Sequence, residues 1–284
     1  MEQYNDFNEQ ADMKSENVTN NEPVMRSVSE FLKDGWSCLS DRWGNAVLLI
    51  VVWCACTIGI GLVQYVLSAI IGVLYVLAKG SHFTESDQFI LQLLSFPISI
   101  LFAIFITYPL TYGISNSFVK AKRANSGVSI KDIFLAKEQY LSVVGTGFLY
   151  YLYLFLWLLL ALIPFTFIGH FLFGNNFVVL CLFSLAAVIL VVYKLLSYQL
   201  CTYIRYDHPE LSANECIDLS IDMMEGHKAE LLGLVLIFVV LAILSVFTCC
   251  IGFLFSLPYM YSIMAEFYED VKAGYEYKQQ LFYS

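Results

Sequence analysis

The chain has 284 residues, of which 59% are hydrophobic and 14% are charged, and its mean hydropathy is +0.69. Soluble domains contain about a quarter charged residues and about half apolar residues, so this composition excludes an ordinary water-soluble protein. It predicts an all-α fold: a polytopic transmembrane helical bundle, with lipid as the solvent for much of the chain. The net charge of −9 argues against nucleic acid as a partner.

The N-terminal segment divides into a polar tail and a periodic stretch. Residues 1–23 are acidic and lack both hydrophobic periodicity and the features of a signal peptide, so we expect a disordered cytoplasmic tail. From about 26 to 42 the pattern predicts an amphipathic helix in the membrane interface, with a soluble docking helix as the alternative. Its apolar residues recur at the spacing of one helical face, at Val28, Leu32, Trp36, Leu39 and Trp43.

Four uncharged stretches follow, at 43–78, 88–119, 139–193 and 231–265. One crossing needs about 20 apolar residues, so the third stretch holds two crossings, separated by a turn at Gly174-Asn175-Asn176. We divide the fourth stretch at Cys249-Cys250; one long helix kinked at Pro258 is the alternative. The transmembrane domain, residues 24–272, then precedes a cytoplasmic tail at 273–284, and its six crossings lie at about 46–78, 88–117, 141–171, 177–204, 231–248 and 251–267.

The basic residues distinguish the two sides of the predicted bundle. With six crossings, one side has Lys79 as its basic residue. An excess of lysine and arginine marks the cytoplasmic side, so we expect a multi-pass protein of the cell membrane with both termini in the cytoplasm. Five crossings would place the basic C-terminal tail outside. The residues that carry this bias are Lys14, Arg26, Lys33, Arg42, Lys120, Lys122, Arg123, Lys131, Lys137, Arg205, Lys228, Lys272 and Lys278.

Two of the predicted cytoplasmic connections begin with a helix-capping pattern. Ser129 and Ser212 are each followed three residues later by an acid, which predicts amphipathic helices at about 129–138 and 212–227, the second ended by Gly226. Tyrosine-rich segments precede both connections, and a third such segment lies near the C-terminus. This arrangement predicts an internal repeat of three hairpins, with the tyrosine-rich segments at 108–112, 193–198 and 257–261.

The last seventy residues resemble a known family. One part of its signature is the series Asp207, Pro209, Leu211-Ser212-Ala213, Ser220, Met224, Gly226 and Lys228. The other part is Ile251-Gly252-Phe253-Leu254, Leu257-Pro258-Tyr259, Ala265 and Phe267-Tyr268. These residues are similar to those of a bacterial integral membrane family catalogued as domain of unknown function nine-seven-five. The resemblance implies a six-helix protein of the cytoplasmic membrane with no established catalytic residues.

Lys194 is the basic residue inside a predicted crossing, two to three helical turns before Arg205. It predicts either a ligand for an anion or lipid headgroup in the bundle interior, or an ammonium group that extends to the interface. Tyrosines of the tyrosine-rich segments complete this candidate headgroup set: Tyr112, Tyr198 and Tyr259.

The third crossing concentrates aromatic side chains between Phe148 and Trp157, including Tyr150, Tyr151 and Tyr153. They could line a path for an amphiphile or isoprenoid chain, while ordinary helix packing and lipid contact is the alternative interpretation. None of the eight cysteines has zinc-ligand spacing, and no nucleotide-binding or hydrolase motif occurs. We therefore expect no cofactor, no metal site and no catalytic residue.

Three functions fit this sequence. The first is a non-enzymatic accessory or envelope-integrity factor whose partners are membrane lipids and either other proteins or further copies of itself. The second is a small transporter or amphiphile exporter with a cavity near Lys194 and helix breaks at its prolines. The third is a membrane-embedded enzyme that acts on a lipid headgroup. The shortage of ionisable residues at bilayer depth favours the first.

Overall fold

A computed structural model describes residues 26–40, 42–80, 84–134, 137–173, 177–248 and 251–283. Within these ranges the chain forms helices and short connections, and no β-strand. The elements in chain order are α1 (Val28–Leu39), α2 (Trp43–Lys79), α3 (Glu85–Phe102), a π-helical turn (Ala103–Thr107), α4 (Tyr108–Arg123), a 3-10 turn (Ile130–Ile133), α5 (Lys137–Phe173), α6 (Phe177–Tyr198), α7 (Cys201–Asp207), α8 (Ala213–Met223), α9 (Lys228–Phe247) and α10 (Phe253–Tyr283).

The membrane-spanning helical class is confirmed. Among the described residues, five helical segments are long and apolar enough to cross a membrane: Trp43–Lys79, Ser86–Arg123, Gln139–Ala161, Cys181–Asp207 and Lys228–Phe247. They correspond to the first five predicted crossings. The sixth falls on the first half of α10, which is more polar, and six crossings stays a prediction. The stretch 231–265 forms two helices, α9 and α10, rather than one kinked helix.

α10 lies at the centre of the bundle, in contact with α1, α2, α4 and α9. Its middle is almost fully buried at Ile263, Ala265, Phe267 and Tyr268. The membrane-facing helices instead expose large apolar side chains along their length. A helix that is covered by other helices has no need of a lipid-compatible surface, which explains why α10 also buries serines and a glutamate.

α1 docks on α10 through a face that the sequence pattern only partly identified. Phe31, Gly35 and Leu39 are buried, whereas Trp36, part of the predicted apolar stripe, is 58% exposed. At Gly35 the helices approach so closely that an added Cβ would lie 2.5 Å from Cγ1 of Ile263. The structure therefore shows the docking helix of the alternative interpretation, and an interfacial position for its outer face stays a prediction.

The structure corrects the predicted amphipathic helix at 129–138. Between Ser129 and Phe134 the chain forms only the 3-10 turn, Phe134 is extended, and α5 begins at Lys137. The reason is close packing: a Cβ on Gly113 of α4 would lie 2.1 Å from the carbonyl oxygen of Ile133, so this segment presses its backbone against α4. The acid of the expected cap, Asp132, instead accepts a hydrogen bond from Lys120 at 2.7 Å.

The second capping pattern forms as expected, and it begins α8. The Ser212 amide donates to Glu215 Oε2 at 2.6 Å, and the Glu215 amide donates to Ser212 Oγ at 3.3 Å. Gly226 ends this segment with φ of 89°, a left-handed conformation that glycine adopts without strain. The buried face of α8 includes Cys216 and Ser220, one helical turn apart.

Three predictions concern the remaining segments. The expected tail at 273–284 is helical as far as Tyr283, because α10 continues without a break beyond the bundle. The N-terminal tail at 1–23 lies outside the described residues. So do Gly174-Asn175-Asn176 and Cys249-Cys250, where turns were expected.

Candidate functional site

A proline interrupts the backbone hydrogen bonds of the helix that runs from α3 into α4. Pro109 has no N–H to donate to the carbonyl of Phe105, four residues earlier, and the chain forms the π-helical turn just before it. The Tyr140 hydroxyl of α5 donates to that carbonyl at 2.5 Å. The interruption thereby ties α5 to α4 just before Tyr108. π-helical turns of this kind are frequent at functional sites.

A cavity of about 650 Å³ lies beside this interruption, between α4, α5, α6, α7, α9 and α10. Its volume is within the range of about 300 to 1,000 Å³ that is typical of small-molecule sites. Most of its wall is apolar, and a minority of its lining residues are polar. The lining residues are Tyr108, Thr111, Ser115, Tyr150, Tyr151, Val192, Leu195, Leu196, Gln199, Thr202, Tyr203, Leu231, Val235, Phe238, Val239, Ala242, Leu257, Met260, Tyr261 and Met264.

The cavity is open on one side, where α6 and α9 lie next to each other. Val192 of α6 and Val239 of α9 both line it and are 40% and 50% exposed. Both helices belong to segments that can cross a membrane. If both segments cross a bilayer, cavity-lining residues that are exposed between them face hydrocarbon rather than bulk water.

The polar part of the cavity is built from hydroxyl groups and one amide. The rings of Tyr108, Tyr150 and Tyr151 contact one another, with centroids 5.5 to 6.0 Å apart. The Tyr108 hydroxyl is 3.5 Å from Oγ1 of Thr202. In the described part of the chain, the hydroxyls of Tyr150 and Tyr151 and the side-chain amide of Gln199 have no hydrogen-bond partner. These groups are free to bind a polar atom inside the cavity.

A second cavity, of about 780 Å³, lies on the other side of Pro109. It is almost entirely apolar, with Gly59, Phe105 and Ile133 among the residues of its wall. Its tyrosine, Tyr140, already donates to Phe105. The second cavity thus offers a ligand little beyond what the surrounding hydrocarbon offers, and the first is the better candidate site.

One end of the bundle is held together by an ion-pair network, which we define as Arg26, Asp34, Lys122, Arg123, Asp207, Glu266, Glu269, Asp270 and Lys272. One centre of the network is Asp207, at the end of α7. It accepts bidentate hydrogen bonds from Arg123 at 2.6 and 2.7 Å, one from Lys272 at 2.6 Å and one from the Tyr268 hydroxyl at 2.7 Å. This centre connects α4, α7 and α10.

The second centre of the network is the buried Glu266 of α10. It accepts hydrogen bonds from Lys122 at 2.6 Å and from Arg26 at 3.1 Å, and Arg26 also pairs with Asp34 and Asp270. Burial by itself lowers the pKa of Arg26, but hydrogen bonds to Glu266 and Asp34 outweigh it, so the net shift of this pKa is upward. Arg26 therefore fixes the start of α1 to α10 as a permanent cation.

Arg205 is buried and pairs with carbonyl groups instead of carboxylates. Its guanidinium donates to the carbonyl oxygens of Leu211 and Pro209 in the loop after α7, and to Ser142 of α5 at 3.3 Å. No carboxylate among the described residues forms an ion pair with it. Because carbonyl dipoles surround it, this cation serves to hold the loop against α5.

Comparison with known families places these features in a family. The model of the family described as "Protein of unknown function (DUF975)" matches residues 25–274. The chain belongs to this family. The match extends far beyond the last seventy residues, on which the resemblance depended. Searches of curated proteins and of solved structures found no match.

The predicted headgroup residues of this DUF975 protein lie outside the cavity. Lys194 and Tyr198 are one turn apart on α6 and both contact Trp157 of α5: the Lys194 ammonium lies 4.3 Å from its ring centroid, and the Tyr198 hydroxyl accepts a hydrogen bond from its Nε1 at 2.8 Å. Tyr112 is buried in a cluster with Tyr108. Tyr259 donates to the carbonyl of Leu32 at 2.9 Å. The structure brings together only Lys194 and Tyr198 of this set.

The residues of the DUF975 signature occupy structural positions in the C-terminal third. Asp207 is a centre of the ion-pair network, Pro209 provides a carbonyl to Arg205, and Ser212 caps α8. Ser220 donates to the carbonyl of Ser197 at 2.8 Å, which joins α8 to α6. These contacts explain the spacing of the first half of the signature.

Lys228, the last residue of the first half, and the second half of the signature contribute to α9 and α10. The Lys228 ammonium lies 4.0 Å from the ring of Tyr193, at the start of α9. Gly252 is in close contact with α9, because a Cβ there would lie 2.7 Å from Cα of Ser245. Pro258 is accommodated inside α10.

The cavity combines residues that the sequence treated separately. The aromatic run of the third predicted crossing indicated part of the cavity in advance, since its Tyr150 and Tyr151 are lining residues. Tyr153 of the same run lies outside the cavity, packs against Tyr198 and donates to Oδ1 of Asn214 at 3.2 Å. Gln199 and Thr202 had no sequence signal, because only the fold brings them to the same space.

Proposed function

We propose that this DUF975 protein is a non-enzymatic membrane accessory protein that binds a lipid in the cavity lined by Tyr150, Tyr151 and Gln199. The observation that carries this proposal is the combination of unpaired polar groups with an opening toward hydrocarbon. An amphiphile fits both parts of the site, and the bilayer supplies amphiphiles at the opening.

The energetics of the polar groups favour an amphiphile over a plain hydrocarbon chain. In an apolar environment, a hydroxyl or amide without a hydrogen-bond partner costs about 1 to 3 kcal/mol. A ligand that brings a polar head to Tyr150, Tyr151 and Gln199 removes this penalty, while the apolar wall accepts its chain. Among the described residues that line the cavity there is no Asp, Glu, His, Lys, Arg or Cys, and this supports a binding role.

The ion-pair network supports six crossings with both termini on one side. Arg26 precedes the first predicted crossing, Lys122 follows the second, Asp207 follows the fourth and Glu266 ends the sixth. The paired nitrogen and oxygen atoms of these side chains are about 3 Å apart. The hydrocarbon core of a bilayer is about 30 Å thick, so paired residues cannot lie on opposite sides of it. The charged ends of these segments therefore share one side, and their lysines and arginines identify it as cytoplasmic under our proposal for the cell membrane.

Transport past Lys194 is the second candidate function and has less support. The Lys194 ammonium lies over the ring of Trp157, and the cavity is lined by its neighbours Val192, Leu195 and Leu196 on a different face of α6. An enzyme acting on a lipid headgroup is the third candidate, and protein partners or self-association remain compatible with lipid binding.

Filling the cavity tests the proposal. Ala242 of α9 lines the cavity, so Ala242→Trp should displace the ligand. Leu244→Trp places the same side chain on an exposed position of the same helix and is the matched control. We expect lipid mass spectrometry of protein purified in native lipid to show loss of a bound species from Ala242→Trp only. If both variants retain the lipids of the wild-type protein, the cavity does not bind lipid.

A further inference from the structure

We infer, on the basis of the lipid-binding function proposed above, that the cavity selects a lipid with an uncharged, hydroxyl-bearing headgroup, of the diacylglycerol type, over its phosphorylated counterpart.

The described residues that line the cavity are all uncharged. Its polar groups, the hydroxyls of Tyr150 and Tyr151 and the amide of Gln199, both donate and accept hydrogen bonds. A free hydroxyl next to an ester has the same dual character. Such a headgroup can therefore pair with all three side chains without bringing a charge into the bundle.

Three cations on adjacent helices have other partners. Lys194 of α6 and Lys228 of α9 lie over the rings of Trp157 and Tyr193, and Arg205 of α7 donates to the carbonyls of Leu211, Pro209 and Ser142. None of the three is among the residues that line the cavity. A phosphate monoester in the cavity would lose its hydration without gaining a cation, which strongly disfavours its entry.

The cavity also has the right size for part of such a lipid. Its volume of about 650 Å³ is that of a small-molecule site. Through the opening between α6 and α9, where Val192 and Val239 are exposed, a second chain can remain in the bilayer. A two-chain lipid with a small headgroup can thus enter from the side, which a large hydrated headgroup would hinder.

Matched photoreactive lipids test this inference. A diacylglycerol and a phosphatidic acid with identical acyl chains, each with a diazirine on the same chain carbon, are reconstituted at equal amounts with the full-length protein in phosphatidylcholine nanodiscs. Cross-linked residues are then mapped by mass spectrometry. We expect the diacylglycerol to label cavity residues roughly tenfold more than the phosphatidic acid, equivalent to about 1.4 kcal/mol.

Two other labelling results would contradict the headgroup selectivity, and one of them would also contradict lipid binding. Equal labelling of cavity residues, or preference for the phosphatidic acid, overturns the headgroup selectivity and leaves lipid binding in place. Labelling confined to the outer surface for both probes overturns lipid binding as well.

A conservative substitution separates headgroup recognition from folding. Tyr150→Phe removes a hydroxyl without a partner among the described residues, so the fold should be retained. We expect it to lower cavity labelling by the diacylglycerol severalfold. Tyr153→Phe removes a hydroxyl from the same helix outside the cavity and is the control. Unchanged labelling of Tyr150→Phe would refute a role for its hydroxyl in headgroup binding.

Discussion

Asp207 shows how single residues hold this bundle together. Its carboxylate side chain is 5% exposed and receives four hydrogen bonds, from Arg123, Tyr268 and Lys272. A carboxylate in this position is stable only because its partners come from two other helices. Asp207, a residue of the DUF975 signature, thus stabilises the bundle through its own hydrogen bonds, although it does not line the cavity.

Asp207→Asn should destabilise the protein by roughly 2 to 3 kcal/mol. The amide leaves Arg123 and Lys272 without a counter-charge, and partial exposure of these two cations reduces the penalty below that of a fully buried pair. The measurement is the thermal midpoint in detergent, followed by fluorescence-detected gel filtration. Glu276→Gln removes a weaker, exposed partner of Lys272, 3.8 Å away, and should leave the midpoint nearly unchanged. Equal midpoints for wild type and Asp207→Asn would contradict this assignment.

At the scale of the elements, α1 and α10 form a close helix pair. Gly35 allows the backbones to approach at Ile263, the Ser262 hydroxyl donates to the carbonyl of Gly35 at 3.0 Å, and the rings of Phe31 and Phe267 pack edge to face at 5.7 Å. This packing makes α1 part of the bundle. The sequence pattern of 26–42 identified a helix but not its partner, because hydrophobic periodicity does not distinguish contact with protein from contact with lipid.

Gly35→Ala should weaken the docking of α1 by about 1 to 3 kcal/mol, because the new methyl group would overlap Ile263. Alanine has the higher helix propensity, so the control must contain the same exchange without the clash. Gly44→Ala provides it, since nothing lies within 4 Å of its added Cβ. Limited proteolysis within 26–40 should accelerate in Gly35→Ala alone. Equal cleavage of the two variants would argue against the close approach.

At the scale of the whole molecule, charged residues from four different segments meet at one end of the bundle. The ion-pair network gathers Arg26, Lys122, Asp207 and Glu266 at one end, which fits an even number of crossings between them. The cavity is lined by α6 and α9, where Val192 and Val239 are exposed. Under the proposed function, its ligand enters from the bilayer between these two helices.

Cysteine labelling tests the topology. In a variant whose eight native cysteines are replaced, Lys278→Cys should resist a membrane-impermeant maleimide in intact cells, and His82→Cys should react. Both should react after the membrane is permeabilised, which controls for accessibility. Labelling of Lys278→Cys from outside would show that the C-terminus is not cytoplasmic, and the six-crossing proposal would fail with it.

The sequence by itself determined the helical membrane class, the five helical segments that are long and apolar enough to cross a membrane, and the cap of α8. These features depend on short-range properties: runs of apolar residues, and a serine and an acid three residues apart, as at Ser212 and Glu215. The same local pattern at Ser129 predicted a helix that does not form, because the backbone at Ile133 packs closely against Gly113.

Only the tertiary structure decided which residues share the cavity and which share the ion-pair network. Tyr150 and Gln199 belong to different helices, and Asp207 pairs with residues 84 and 65 positions away. Such partners are fixed by how helices pack around α10, and packing depends on shape and contact over the whole bundle. No local spacing records it, so the headgroup residues predicted from single helices, such as Lys194, lie outside the cavity that the fold creates.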